Sequence, residues 1–229
     1  MPSRICQEII EQEITGVTTI ILTGGESLSY TKETDIQVYN NYGPTENTVV
    51  TTYYDCKNKT SDIIPIGKPI HNTKIYILSK KNALQPIGVV GELCVFGIGL
   101  AQGYLNRPEA TALNFIAHPF VEGERLYKTG DLARWLPDGN LEFVGRKDHQ
   151  VKLRGHRIEL GEIETALNTI EHIKQSCVLA KEKNGNKYLV AYYVVNTSLD
   201  EKTIITHLSS QLPDYMIPSA FVQMDSFPI

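Results

Sequence analysis

Apolar positions change their period several times along the chain, and each change marks an element. Ile5, Ile9 and Ile10 recur at helical spacing within residues 3–13, and Val17-Thr18-Thr19-Ile20-Ile21-Leu22 is a β-branched apolar run that stops at Gly24-Gly25. The pattern predicts a helix, a buried strand and a glycine turn. Short strands follow at 36–39 and 48–54, the second alternating through Val49, Thr51 and Tyr53, with a polar loop at 40–46 between them. From 63 to 145 the chain reads as strands Thr73–Ser79, Gly91–Phe96, Arg125–Trp135 and Leu141–Val144, with Pro86-Ile87-Gly88 and Pro137-Asp138-Gly139 supplying turns. That succession predicts a small β-barrel, interrupted by a helix at 106–115 that Pro108-Glu109 opens.

The texture changes after Gly145-Arg146-Lys147-Asp148. A strand pair leads to a helix over Glu159–Ile170, where Leu160, Ile163, Leu167 and Ile170 mark one apolar face. Strands at 176–182 and 187–195 flank Asn184-Gly185, a hairpin signal, and a second amphipathic helix at 200–210 carries Ile204, Ile205 and Leu208. Such a unit is a compact α+β domain. The chain therefore divides into an α/β and β-barrel portion, 1–147, and a small α+β domain, 148–229, with the boundary at Asp148.

Composition narrows the class. At 229 residues, 41% hydrophobic and 21% charged, the chain supports one core or a larger and a smaller one. A net charge of -4 provides no basic face for nucleic acid, and no apolar run approaches the ~20 residues that span a bilayer. No apolar segment of a signal peptide follows Met1-Pro2-Ser3-Arg4, so a soluble, cytoplasmic protein is expected. Cys6, Cys56, Cys94 and Cys177 are too widely spaced for a C-x-x-C pair, which favours reduced, buried thiols over zinc ligands or disulfides. Without secretion, the sequons at Asn58 and Asn196 carry no weight.

Two nucleotide motifs are excluded. Gly97-Ile98-Gly99-Leu100-Ala101-Gln102-Gly103 places its third glycine one position late for a Rossmann fingerprint, and no G-x-x-x-x-G-K-[ST] occurs. The loop Asn41-Tyr42-Gly43-Pro44-Thr45-Glu46 is more informative. Gly-Pro between strands is ordinarily a turn and the tyrosine before it ordinarily core. In combination, however, an aromatic ring can stack on a purine, a threonine hydroxyl can reach a phosphate, and a carboxylate is a hard oxygen ligand for Mg²⁺. Downstream, Asp131 closes Tyr127-Lys128-Thr129-Gly130-Asp131, where an ionised carboxylate can accept from both hydroxyls of a ribose. Arg146 follows at a strand end, within the reach of ribose or phosphate oxygens.

In this order, and joined by Gly24-Gly25-Glu26-Ser27-Leu28, by Gly91–Pro108, by Gly145–Glu164 and by Leu212-Pro213-Asp214-Tyr215-Met216-Ile217-Pro218, these segments resemble the later core motifs of nonribosomal peptide synthetase adenylation domains. The resemblance spans nearly the whole chain. It implies an AMP-forming ligase that uses ATP and Mg²⁺ to turn an amino acid into its acyl-adenylate, then passes the acyl group to the phosphopantetheine thiol of a peptidyl carrier domain. Condensation domains of the same assembly line are implied partners.

The resemblance also implies roles. Tyr42 packs on adenine with Asn41 beside it, Thr45 approaches the phosphate and Glu46 binds Mg²⁺. Gly24 and Gly25 border the adenine and substrate pockets, Asp131 holds the ribose hydroxyls and Arg146 contacts the ribose. Asp148 is the hinge between a large and a small domain, and Lys152 with Gly155 lies on a loop used in thiolation. Leu22, Gly24, Asn41, Val49 and Val50 line the amino-acid pocket, a mostly apolar set that does not name the amino acid. Gln102 departs from the arginine frequent in the family and is read as a tolerated variation. Glu159–Glu164 keeps a structural reading as a helix start with carboxylates at its positive end.

The family's phosphate-gripping loop, its ammonium-binding aspartate and its final Asn-Gly-Lys segment are expected to lie outside these residues. A piece of the domain, inactive alone and prone to self-association through apolar surface around Val17–Leu22, is the expectation. An acyl-CoA synthetase or a D-alanyl carrier-protein ligase, sharing the fold and the first half-reaction, is the alternative; an inert fragment is another.

Overall fold

The computed structural model describes residues 1, 3–12, 20–26, 28, 35–58, 64–148, 150–153, 156–183, 186–196 and 199–227. Chain contacts separate Met1–Asp148 from His149–Ile229.

In the first unit, helix α1 (Ser3–Glu11) lays Cys6 and Ile10 against Ile21, Val38, Leu28, Cys56 and Ile64. Ile5, at 46% exposure, faces outward, so the buried stripe runs through a cysteine rather than through every isoleucine of the spacing. Strand β1 (Ile20–Gly24) pairs in parallel with β2 (Gln37–Tyr42), which pairs antiparallel with β3 (Thr52–Asp55), and β4 (Lys68–Pro69) closes this sheet. Val17–Thr19 lie outside the described residues.

The expected strand at 48–54 is shorter than its alternation suggests. Pro44–Thr51 instead folds back on itself through a 3₁₀ turn at Thr45–Asn47, with Thr48 and Val49 in the left-handed region at φ 51° and 69°. The Asn47 amide donates to the Thr51 hydroxyl at 2.8 Å, and the Thr51 N–H donates to the Tyr42 carbonyl at 2.8 Å. Gly43 permits the return, since a Cβ there would lie 2.2 Å from the Val49 carbonyl oxygen. Tertiary contacts thus override the β preference of Val49 and Val50.

The region of the expected barrel is an open, curled sheet. Its strands are β5 (Thr73–Leu78), β6 (Gly91–Gly97), β7 (Phe115–Ala117), β8 (Arg125–Trp135) and β9 (Leu141–Arg146), with helix α2 (Pro108–Asn114) entering between β6 and β7. The order is β5-β6-β8-β7, with β9 also on β8. Ile75, Ile77, Leu93, Val95, Ala133 and Leu141 pack in one cluster with Tyr42 and Ile66, which ties this sheet to the first one.

In the second unit the hairpin of β10 (Gln150–Leu153) and β11 (His156–Glu159) leads into α3 (Leu160–Asn168). Strands β12 (Ile173–Lys183) and β13 (Asn186–Val195) pair antiparallel, and after α4 (Glu201–Ser209) strand β14 (Ala220–Met224) adds in parallel to β13. The Asn184-Gly185 turn lies outside the described residues, but pairing continues out to Lys183 opposite Asn186. Ile158, Ile163, Leu167, Ile204 and Leu208, all fully buried, join the two helices to the sheet. Glu159 makes no side-chain cap to α3; Glu164 instead accepts the Val178 N–H at 2.8 Å and fixes the helix to β12. None of the four cysteines is in a disulfide; three are buried and Cys177 is half-buried.

Candidate nucleotide site

Asp131, Arg146, Asp148 and Tyr42 form one hydrogen-bonded group. In the β8–β9 ladder Asp131 stands opposite Arg146. The Tyr42 hydroxyl donates to Asp131 Oδ2 at 2.5 Å and Arg146 Nη1 donates to Oδ1 at 2.6 Å, so each oxygen of this buried carboxylate has a donor. The other edge of the guanidinium grips Asp148 in a fork, Nε to Oδ1 at 2.6 Å and Nη2 to Oδ2 at 2.7 Å. Burial, and then the neighbouring Asp131 charge, pushes the Tyr42 phenol well above its usual range, so it remains a neutral donor. Burial alone would lower the Arg146 pKa, but its bonds to Asp148 and the charges of Asp131 and Asp148 outweigh this and raise it. The arginine is a permanent cation between two carboxylates.

A bulge produces this geometry. Between Glu92 and Cys94 on β6 the partner register moves from Leu132 to Lys128, so Thr129, Gly130 and Asp131 stand opposite Leu93 alone. The Thr129 hydroxyl donates to the Leu93 carbonyl at 2.7 Å and accepts the Asp131 N–H at 3.0 Å. Gly130 takes φ 77°, a conformation open to glycine at little cost. Bulges of this kind re-aim side chains, and here the re-aimed one is Asp131.

Among the described residues, Glu46 is the other buried carboxylate, 8% exposed. The Tyr104 hydroxyl donates to its Oε1 at 2.7 Å, and its own carbonyl accepts the Ala101 N–H at 2.8 Å. Thr48 adds a bond from its hydroxyl to the Gly99 carbonyl at 2.8 Å. Arg125 donates from Nη1 to the Gln102 carbonyl at 2.7 Å and from Nη2 to the Ala101 carbonyl at 3.1 Å. The segment around 97–104 is thus pinned from both sides, and Gln102 serves it through its backbone. Tyr104 and Thr129 lie within the sequence motifs, but no local pattern assigns them these supporting bonds.

Other expected site residues are placed as follows. The Tyr42 ring is 7% exposed and packs with Phe143 at a 6.4 Å centroid distance, while Thr45 is exposed on the 3₁₀ turn. Gly24 meets Asn41 across β1 and β2 so closely that a Cβ would lie 2.2 Å from the Asn41 carbonyl oxygen; Gly25, at φ 95°, has open space beside it. Leu22 and Val49 are 58% and 73% exposed, and Val50 is half-buried. Lys152 is half-buried on β10, in the second unit; Gly155 lies outside the described residues.

The family model of the AMP-binding enzyme matches residues 10–105, and that of the AMP-binding enzyme C-terminal domain matches 162–229, together well over half of the chain. The chain belongs to the AMP-binding enzyme family. Within that family it is 50% identical over 230 residues to bacitracin synthase 1 of Bacillus licheniformis, covering 100% of this chain and 4% of that protein. It is 48% identical over 217 residues to tyrocidine synthase 3 of Brevibacillus parabrevis, covering 91% of this chain and 3% of that one. Among solved structures, PA1221, an NRPS protein containing adenylation and PCP domains, superposes with TM-score 0.83 at 30% identity, covering 100% of this chain and 48% of that one. The Vibrio cholerae adenylation domain AlmE, in complex with glycyl-adenosine-5'-phosphate, superposes with TM-score 0.85 at 26% identity over 99% of this chain and 46% of that one. The chain thus spans less than a tenth of these synthases and about half of these two solved chains.

Proposed function

We propose that this chain supplies the nucleoside- and Mg²⁺-binding part of an adenylation domain in a cytoplasmic nonribosomal peptide synthetase. ATP and an amino acid give aminoacyl-AMP and pyrophosphate, and the acyl group then moves to a phosphopantetheine thiol on a carrier domain. The observation that carries this is the Asp131 group. A buried carboxylate fixed by a neutral phenol and a permanent cation keeps lone pairs in a set orientation, which suits a vicinal diol such as that of ribose. Support also comes from the AlmE structure, a match over nearly the whole chain whose ligand is an aminoacyl nucleotide.

In the first half-reaction the substrate carboxylate oxygen attacks the α-phosphorus and pyrophosphate leaves, so no protein nucleophile is required. Positioning is the protein's task. Asp131 and Arg146 orient the ribose, and Tyr42 presents adenine with a wall while holding Asp131. Thr45, exposed on its turn, is free to meet phosphate oxygens. Gly24, Gly25, Asn41, Leu22, Val49 and Val50 border the amino-acid pocket.

Among the described residues no cluster of three or more His, Cys, Asp or Glu is arranged for a metal. Mg²⁺ is commonly held by one or two carboxylates with substrate phosphates rather than by a protein cage. Glu46 would be that carboxylate, with Tyr104 fixing its orientation. Bound there, Mg²⁺ supplies neutralisation of phosphate charge. Asp148 is the hinge and Lys152 acts in thiolation.

Amino-acid-dependent exchange of pyrophosphate into ATP, measured on a domain that includes this chain, tests the assignment. Exchange with at least one amino acid is expected. Exchange with a fatty acid and with no amino acid would replace it by the acyl-CoA synthetase alternative.

A further inference from the structure

Glu92 lies on β6 and has no nucleotide contact assigned to it above, yet it holds both chain neighbours of the Asp131–Arg146 pair. Its Oε1 accepts the backbone N–H of Gly130, the residue before Asp131, at 3.2 Å. The same oxygen accepts from Nζ of Lys147, the residue after Arg146, at 2.5 Å. Its Oε2 lies 3.4 Å from Lys128 Nζ. The backbone closes the figure, because the Lys147 N–H donates to the Gly130 carbonyl at 2.9 Å. Glu92 is itself well covered, its side chain 11% exposed.

The Gly130 N–H sits in the bulge, displaced from the regular β6–β8 ladder, and Glu92 provides its acceptor. We propose that Glu92 is a positioning residue for ribose recognition: its carboxylate clamps Gly130 and Lys147, and through them sets Asp131 and Arg146 at the spacing a vicinal diol requires. Substrate specificity for the ribose diol then depends on a residue that never touches the nucleotide. This rests on the nucleoside-site reading above, and the two are separable by experiment.

The test compares affinities for ATP, 2'-deoxy-ATP and 3'-deoxy-ATP by calorimetry, on a domain that includes this chain. The wild-type protein should prefer ATP over both deoxy analogues, and Asp131→Ala should remove the preference. Glu92→Ala should reduce the preference about tenfold, the scale of one displaced hydrogen-bonding group, while binding of the deoxy analogues changes little. Glu92→Gln retains an oxygen that accepts from Gly130 and should recover most of the preference, which also answers any loss of folding in the alanine variant. Lys147→Ala should have the smaller effect, since its side chain is 44% exposed and its backbone bond remains. If Glu92→Ala lowers affinity for all three nucleotides equally, or leaves the preference intact in a folded protein, the positioning role is wrong. If the wild type shows no preference, the ribose assignment fails first.

Discussion

Replacing Asp131 by alanine, in a domain that includes this chain, is expected to raise the KM for ATP about a hundredfold, on the scale of two charge-assisted hydrogen bonds to the ribose lost together. The maximal rate should fall less, because the reacting phosphorus is remote from the diol and saturating ATP restores occupancy. A stability cost accompanies it. The buried Tyr42 hydroxyl loses its acceptor, which leaves a donor unsatisfied at about 1–3 kcal/mol. Asp131→Asn separates the two effects, since the amide oxygen still accepts from Tyr42 but no longer pairs with Arg146. Steady-state kinetics over a range of ATP, with thermal melts of each variant, reads both. An unchanged KM in the alanine variant would remove Asp131 from the nucleotide site.

Gly130→Ala is the second substitution of large effect, and it divides differently between stability and binding. The native φ of 77° costs a non-glycine residue about 1–2 kcal/mol. The added Cβ also falls 2.6 Å from Arg146 Nη2 and 2.9 Å from Asp148 Oδ2. Both contacts are with the ends of flexible side chains, so the fold can yield and the fork between Arg146 and Asp148 is what gives way. Melting should shift by a few degrees, as expected for ~1–2 kcal/mol, while ATP affinity falls by tenfold or more as the guanidinium leaves its place. A variant with normal ATP affinity and an altered melting temperature would mean that the fork does not contribute to binding.

Much of the fold is legible in the sequence, for reasons that differ by segment. Strand β8 occupies the expected residues, Arg125–Trp135, because apolar Leu126, Tyr127 and Ala133 are buried along it and the Pro137-Asp138-Gly139 turn follows its end, even though Thr129 and Asp131 are buried with them. The helices α3 and α4 follow their apolar stripes to within two residues at each end. Residues 48–51 mislead because β-branched side chains read as strand wherever they occur, whereas here the return of the loop over Gly43 decides the backbone. Strand β14 leaves a weak trace, since it is half-buried along most of its length and its parallel partner lies across α4 in the chain.

At the site, ordered motifs carry the identities of Tyr42, Glu46, Asp131 and Arg146, but not those of their supports. Tyr104 reaches Glu46 across 58 residues and Glu92 reaches Gly130 across 38. Such partners are set by the curl of the second sheet and by a bulge, neither of which a local pattern encodes. The wide spacing of the cysteines implies buried thiols; none of the four is in a disulfide and three are buried, with Cys94 pushed up to about 12, chiefly by burial and then by Glu92.

Hydrogen–deuterium exchange on a domain that includes this chain, with and without a non-hydrolysable aminoacyl-adenylate analogue, addresses the central assignment most directly. Slowed exchange is expected in two separate stretches, 40–47 around Tyr42 and Glu46, and 127–148 around the bulge, Asp131 and Arg146. Binding of the analogue with exchange unchanged in both stretches would place the nucleotide elsewhere and contradict the account.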